Sequence, residues 1–489
     1  MRTIAMLISM LSLSLTAQLN FRLAATSDPI PLSYDRTTGE FITCNDWCIY
    51  VVQNNYKQEW HCYDATLKSR GKYILEDFRS TICIWPDEEN NVLYRCYRSS
   101  EGVPADDNKT VYTATIKYDI LNLPDLTFVE EGVLLHTSYE FPPMPKVVIG
   151  LNLPAYLDKT KFNILPDDQG FLLQLNFEGS AYPEDEKPRQ VIKISRDWTV
   201  TEVLDFLVPK SREFNYPDGN WKIVYEGGEE EEEEKTFLMQ HVPADIGDEI
   251  ESNKLEFEGD YILESFVQFD LDKVFLSALV YRERESKWYY RDGILFMKYD
   301  KKTGEQEYSK IELKNTLTDT KALEKYRRAF CKFFSYSQVD TSTGIAHFIL
   351  HPYDQIGTGA EHVLHSPLIY SMDYEDMSGT LSWLPMQAVT TSDVFCYSGL
   401  VVIPVEDHLQ ILWTRPVSKT VMNMNYDSPR YPVTVETGAG GALPESTKLF
   451  TMADKEFLMT TTASCVKDEA FVLATIQGKG YQKVVKIVY

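Results

Sequence analysis

Short runs rich in Val, Ile, Leu, Phe and Tyr follow one another along almost the whole chain, most of them four to eight residues long. Val111–Tyr118, Gly170–Phe177, Trp221–Tyr225, Val274–Tyr281, Gly293–Tyr299, Ile345–Leu350 and Leu409–Thr414 are examples. Segments of that length, rich in β-branched and aromatic side chains and bounded by Gly, Pro, Asn or Asp, predict strands. The punctuation between them supports this: Pro217-Asp218-Gly219-Asn220, Asp167-Asp168-Gln169-Gly170 and Gly478-Lys479-Gly480 supply the residues of tight reversals. Only Thr320–Phe334 sets Leu323, Tyr326, Arg327 and Phe330 at helical spacing, which predicts a short helical insertion over 316–334. The predicted class is all-β.

One phrase recurs among the strands. MKYDKKTG (Met297 to Gly304), LSYDRTTG (Leu32 to Gly39) and MDYEDMSG (Met372 to Gly379) are full copies. HCYD at His61, IKYD at Ile116, MNYD at Met424 and the degenerate ISRD at Ile194 are shortened ones. Each reads as a strand end with an aromatic last residue, then an Asp that caps its own turn and a Gly free to take positive φ. Recurrence in a fixed role predicts a repeated unit. The intervals run from 29 residues (Asp35 to Asp64) to 103 (Asp197 to Asp300), unlike the roughly 40 to 50 of WD40 and kelch arrays. Inserted loops account for the long intervals. One is Glu226–Lys235, EGGEEEEEEK, whose consecutive carboxylates repel one another and predict a solvated, disordered acidic loop over 226–235.

The last residues, Lys483 to Tyr489, are the same phrase cut off at its Tyr. A ring closed by one blade that combines N- and C-terminal strands needs half-phrases at its two ends, and closure also hides sheet edges. The expectation is a single β-propeller of about seven blades over residues 26–489, with long inserted loops and six or eight blades as bounds. Tandem β-sandwich modules are the alternative. Through these phrases the chain resembles secreted β-propeller repeat proteins in general, a resemblance of fold that carries no functional residue with it.

Composition narrows the partners. A formal net charge of −25 argues against nucleic acid and anionic membranes. Arg2 followed by the apolar or small run Ile4–Leu15 predicts a signal peptide within 1–25, cleaved after Ala17 or after Ala24-Ala25, and a secreted, extracellular product. Twelve apolar residues are too few for an ordinary transmembrane span, and none is expected later. Eight cysteines, at Cys44, Cys48, Cys62, Cys83, Cys96, Cys331, Cys396 and Cys465, then predict disulfides. With five of them early and three late, full pairing within one chain requires a bridge between the two groups. Asn108-Lys109-Thr110 is a glycosylation sequon.

Candidate chemistry is sparse. GxSxG, GxxxxGK[ST], GxGxxG and HExxH are all absent. His347, His351, His362 and His365 fall within nineteen residues beside Asp354 and Glu361. Imidazoles near a carboxylate suit a divalent metal if a hairpin brings them together, and are otherwise ordinary strand histidines. Asp270 and Asp272 share a strand face as a second acidic candidate. The reading leans away from an enzyme. It expects a monomeric, secreted binding scaffold that presents loops to an extracellular protein or carbohydrate. A hydrolase or lyase with a metal-assisted site at the propeller channel is the first alternative, and a structural extracellular component the second.

Overall fold

The computed structural model describes residues 22–489 except 34–38, 55–56, 76–79, 105–108, 146–160, 165–169, 177–185, 210–215, 217–218, 227–235, 244–247, 258–260, 284, 288–289, 317–322, 325–326, 329–333, 351, 356–361, 365–366, 385–388, 392–399, 406–407, 417–421, 424–429, 437–440, 443–455, 466–470 and 489. Within it, consecutive strands pair with their sequence neighbours into up-and-down antiparallel sheets that follow one another along the chain. Gly39–Cys44, Trp47–Asn54, Lys57–Tyr63 and Ser69–Leu75 form the first, and the next lie at 80–145, 161–209, 220–254, 261–312, 334–383 and 400–436. The closing sheet takes Phe457–Cys465, Phe471–Gly478 and Tyr481–Val488 from the C-terminus and Arg22–Thr26 from the N-terminus.

Closure follows the expected scheme. Arg22 lies opposite Val488 and Thr26 opposite Val485, so the fourth strand of the last sheet is the first strand of the chain. Ser27, which is buried, donates its N–H to the Val484 carbonyl at 2.8 Å and accepts the Val484 N–H on Oγ at 2.9 Å. Neighbouring sheets pack face to face through separate apolar clusters. Leu93, Trp60 and Leu121 fill the space between the first and second sheets, and Phe171, Ile192 and Trp198 that beside the second and third. Phe348, Phe296 and Tyr370 fill that between the 261–312 and 334–383 sheets. Tyr50, Leu473 and Val484 join the first sheet to the closing one. The fold is thus a single β-propeller of about seven blades, eight successive sheets being counted round it among the described residues. Six sheets are complete, with four or more strands, and the shorter 220–254 and 400–436 sheets have three each among the described residues. A small additional sheet of Tyr353–Gln355, His362–Leu364, Val389–Thr391 and Met422–Asn423 stands beside the ring.

The phrase turns are built as their residues dictate. Asp300 Oδ1 accepts the N–H groups of Lys302 and Thr303 at 2.9 and 2.7 Å, and Gly304 takes φ +75°. Asp64 Oδ1 accepts from Thr66 and Lys68, and Asp373 Oδ1 from Glu375. Two details differ from expectation. Gly39 and Gly379 do not adopt positive φ; a Cβ on either would meet the Tyr50 or Tyr370 ring at about 2.5 Å, so glycine leaves room for a neighbouring tyrosine. Asp119 of the IKYD copy lies inside the long strand Lys109–Asn122, buried against Arg95. Asp35 and Asp427 lie outside the described residues.

Within the predicted helical insertion, the described residues 323–324 and 327–328 are helical, and a turn of helix at Leu313–Thr316 precedes them. Arg327 fixes this insertion to the 284–292 connection. It donates to Asp292 Oδ1 at 2.5 Å, lies 4.3 Å over the Tyr290 ring and accepts the Arg291 N–H on its carbonyl. The acidic loop, apart from Glu226, lies outside the described residues, as does Asn108. Among the described residues no helix is long and apolar enough to cross a membrane.

Candidate functional site

Up-and-down order gives a propeller two unlike faces. Turns joining first to second and third to fourth strands of each sheet emerge on one face, and the other connections emerge on the opposite one. On the first of these faces, at the seam where the ring closes, a cavity of about 260 Å³ opens between the first sheet and the closing sheet. The turn Cys44–Trp47 and the HCYD turn at Asp64, Ala65 and Leu67 form one wall. Phe471, Leu473 and Lys486 of the closing sheet form the other, and Glu88, from the second sheet, stands at the rim. The floor is apolar, with Leu67, Phe471 and Leu473 all buried. Lys486 holds its ammonium 3.8 Å from the centre of the Phe471 ring.

Local chemistry sets the walls. Asn45 adopts φ +49°, a conformation Asn tolerates in a tight reversal, which turns the chain between Cys44 and Trp47. Glu88 then clasps that turn: its carbonyl accepts Asn45 Nδ2 at 2.9 Å, and its carboxylate accepts the Asn45 N–H at 3.3 Å. Trp47 Nε1 donates to Asn91 Oδ1 at 3.3 Å, so the indole packs toward the second sheet, away from the seam. Asp64 is committed to its own turn and to Arg70 Nη2 at 2.6 Å, and hydrogen bonding, above all from the Thr66 hydroxyl, holds its carboxyl well below the usual range. Asp46 and Glu88 are exposed at the rim. The polar lining thus pairs carboxylates on one wall with an ammonium over an aromatic ring on the other.

The cysteines are corrected here. Cys44, Cys48, Cys62, Cys83 and Cys96 are all free thiols, so no bridge joins the early group to the late one. Strand alternation gives the reason for three of them. Cys44 and Cys62 face the second sheet, whereas Cys48 faces the closing sheet among Tyr50, Leu473 and Val484. They serve as small apolar core residues. Cys83 and Cys96 lie opposite each other on paired strands, unbridged. Of the late group, Cys331 and Cys396 lie outside the described residues, and Cys465 is placed by its backbone opposite Val472.

Burial pushes the thiols of Cys44, Cys48 and Cys62 up to about 11, 12 and 12. The native fold therefore keeps them protonated where the unfolded chain would ionise. Their contribution to stability is full below the ordinary thiol value and is lost as pH rises through the folded values. Iodoacetamide at pH 8 is expected to label Cys44, Cys48 and Cys62 at least about tenfold more slowly in the native than in the urea-unfolded protein, read by peptide mass spectrometry. Equal rates would contradict the burial.

Of the four candidate histidines, His347 and His362 have described backbones and lie in different sheets. His347 is buried within its sheet, with Nδ1 2.9 Å from Ser371 Oγ, while His362 sits in the small extra sheet opposite Gln355 and Thr391. His351 and His365 lie outside the described residues. Among the described residues no three His, Cys, Asp or Glu side chains stand close enough to share a metal. Asp270 is engaged on both oxygens, by Lys301 Nζ at 2.6 Å and by the Trp221 N–H at 2.9 Å. Sequence reasoning passed over one polar cluster: Glu59 Oε2 lies 3.2 Å from His61 Nε2 and 2.7 Å from Lys72 Nζ, all within the first sheet. Burial, aided by Lys72, lowers the His61 pKa, so a neutral imidazole stacks on Tyr63. Its signal was the alternation of Glu59, His61 and Tyr63, which puts all three on one strand face.

No protein-family model matches the chain, and no curated protein matches it. Several solved structures are similar in fold. Polysaccharide lyase Uly1 aligns at 9% identity over 98% of this chain and 94% of its own, with a TM-score of 0.38. An ulvan lyase described as a new polysaccharide lyase family aligns at 12% identity over 94% and 95%, with a TM-score of 0.36. The Dos1 propeller aligns at 7% identity over 94% and 81%, with a TM-score of 0.29.

Proposed function

We propose that this protein is a secreted ligand-binding propeller whose binding cleft is the seam cavity between the first and closing sheets. The cavity itself carries the reading: a mixed apolar and charged concavity of about 260 Å³, walled by turns of three sheets that a rigid ring holds in place. Its size suits one small ligand or one side chain of a larger one, near the lower end of ordinary ligand clefts at about 300 Å³. Phe471 in its floor supplies aromatic contact area at low conformational cost. Binding of an extracellular protein or carbohydrate through this cleft accords with the predicted secretory address.

The test is a thermal-shift screen of free amino acids, short peptides and oligosaccharides, with affinities of the hits taken by tryptophan fluorescence. Ala65 is exposed in the HCYD turn and lines the cavity, so Ala65→Trp narrows it without touching the core. Hits are expected to weaken at least about tenfold on that variant, a loss of about 1.4 kcal/mol. Hits that bind Ala65→Trp unchanged, or that the purified protein converts chemically, would remove the scaffold reading in favour of another site or of the hydrolase or lyase alternative.

A further inference from the structure

We infer that Glu59, His61 and Lys72 form an acid-operated latch on ring closure, which holds the N-terminal segment across the seam at neutral pH and loosens when His61 takes up a proton. The latch turns on one carboxylate. Glu59 Oε1 accepts Asn54 Nδ2 at 2.8 Å, while Oε2 accepts Lys72 Nζ at 2.7 Å and lies 3.2 Å from His61 Nε2. Asn54, so oriented, grips the N-terminal segment twice: Nδ2 donates to the Pro31 carbonyl at 3.1 Å, and Oδ1 accepts the Ser33 N–H at 2.7 Å. On its other side the same segment is bonded to the closing sheet, where Ile30 and Pro31 pair with Gln482 and Tyr481 and the Leu32 N–H donates to the Gly480 carbonyl at 3.0 Å. A second arm starts at His61 itself. Its ring stacks on Tyr63, and Tyr63 is hydrogen-bonded to Ser27, whose Oγ accepts the Val484 N–H. Both arms end on residues 27–33, the piece of chain that joins the closing sheet to the first.

Charge sets the direction. The groups facing His61 are Glu59 and Tyr63 on its own strand, Lys72 opposite it on the fourth strand of the sheet and Tyr50 opposite it on the second. Asp28 of the N-terminal segment and Lys486 of the closing sheet act at one remove, on Tyr63 and on Cys48. With His61 neutral, the Glu59 carboxylate serves one cation, Lys72. With His61 protonated it serves two adjacent ones, and the imidazolium among them is shielded from water and repelled by Lys72. Burial and then the Lys72 charge lower the pKa of His61; burial opposes ionisation of Glu59 as well, but hydrogen bonds from Lys72 and Asn54 outweigh it and lower that pKa too. Where the folded value is depressed the unfolded chain binds the proton first, so stability falls as pH drops through the ordinary value. The hold therefore weakens below about pH 6.5 as His61 charges, and again below about 4.3 as Glu59 loses its charge. Both groups push the same way. The latch requires no ligand in the seam cavity.

Hydrogen exchange of the purified protein, followed by mass spectrometry at about pH 7.5 and 5.0 and corrected for the intrinsic rate, tests this. Peptides within 22–33 are expected to lose at least about fivefold in protection at the lower pH. Peptides within 274–300, in a sheet that shares no core cluster with the seam, should change by less than about twofold. His61→Gln keeps an amide that can donate to Glu59 but takes up no proton, so it should retain its neutral-pH protection in acid. Lys72→Gln, at a position whose side chain is 43% exposed, leaves Glu59 to His61 alone and should reduce the acid loss to less than about twofold. Should His61→Gln fail to fold, Lys72→Gln decides by itself. Equal protection of 22–33 at the two pH values in the unsubstituted protein, or an acid loss that either folded variant shows in full, would overturn the latch.

Discussion

A chain shortened to begin at Thr26 is expected to lose about 3 to 6 kcal/mol of stability relative to one beginning at Gln18, enough to unfold a large share of molecules at 37 °C. The shortened chain lacks Arg22–Ala25, most of the strand that completes the closing sheet. It loses the ladder bonds opposite Val488, Ile487 and Lys486 and the packing of Leu23 against the cluster of Val401, Ile403, Val472 and Val485. It also loses Ala25 from the seam beside Tyr50 and Leu473, and it leaves Lys486–Val488 without an edge partner, while Ile30–Pro31 still pairs with Tyr481 and Gln482. Urea unfolding of the two chains measures the difference directly. The same geometry decides between the two processing points seen in the sequence. Cleavage after Ala25 would remove the strand, whereas cleavage after Ala17 keeps it, so if the chain is processed as proposed, N-terminal sequencing is expected to start upstream of Arg22. A mature terminus at Thr26 on a protein that melts no lower than the longer chain would refute the role given to this strand.

How far the fold could be read in advance depended on the range of the forces involved. Strand runs, turn glycines and Asp caps are local, and Asp64, Asp300 and Asp373 sit where a period of two followed by an Asx turn places them. Ring closure was legible in outline, but the strand that supplies it is Arg22–Thr26, almost wholly within the 1–25 that read as a signal peptide. The cavity was not legible. Its lining comes from 43–48, 64–67, 88 and 471–486, segments joined only by the closure itself. The phrase residues were read as purely structural, and Asp64 is, yet Ala65 and Leu67 of the same turn line the cleft. Cysteine parity misled because it takes the pairing of thiols for granted, whereas Cys44, Cys48 and Cys62 fill core positions on two faces of one sheet.

The IKYD copy shows how context changes the meaning of one motif, and it carries the second large effect. In the second sheet the third strand runs on past its Asp, so Asp119 meets Arg95 across the ladder instead of capping a turn. Arg95 Nη1 donates to Asp119 Oδ2 at 2.8 Å, and both side chains are essentially inaccessible, at 0% and 1%. The guanidinium also lies 4.1 Å over the Tyr97 ring. Asp119→Ala takes away the carboxylate and leaves that cation buried without it, a change expected to cost about 3 to 5 kcal/mol. Replacing both partners is a different experiment. Arg95→Met with Asp119→Leu removes the charges together and fills their volume with apolar atoms, and is expected to cost about 1 kcal/mol or to be neutral. The double variant should therefore be more stable than Asp119→Ala alone, a crossing that lost packing cannot produce. Urea denaturation of wild type, Arg95→Met, Asp119→Leu and the double variant gives the coupling energy, with Asp119→Ala measured beside them. An Asp119→Ala cost below about 1 kcal/mol, or a double variant no better than the single, would show that the guanidinium finds its compensation elsewhere and that the pair does not hold this sheet together.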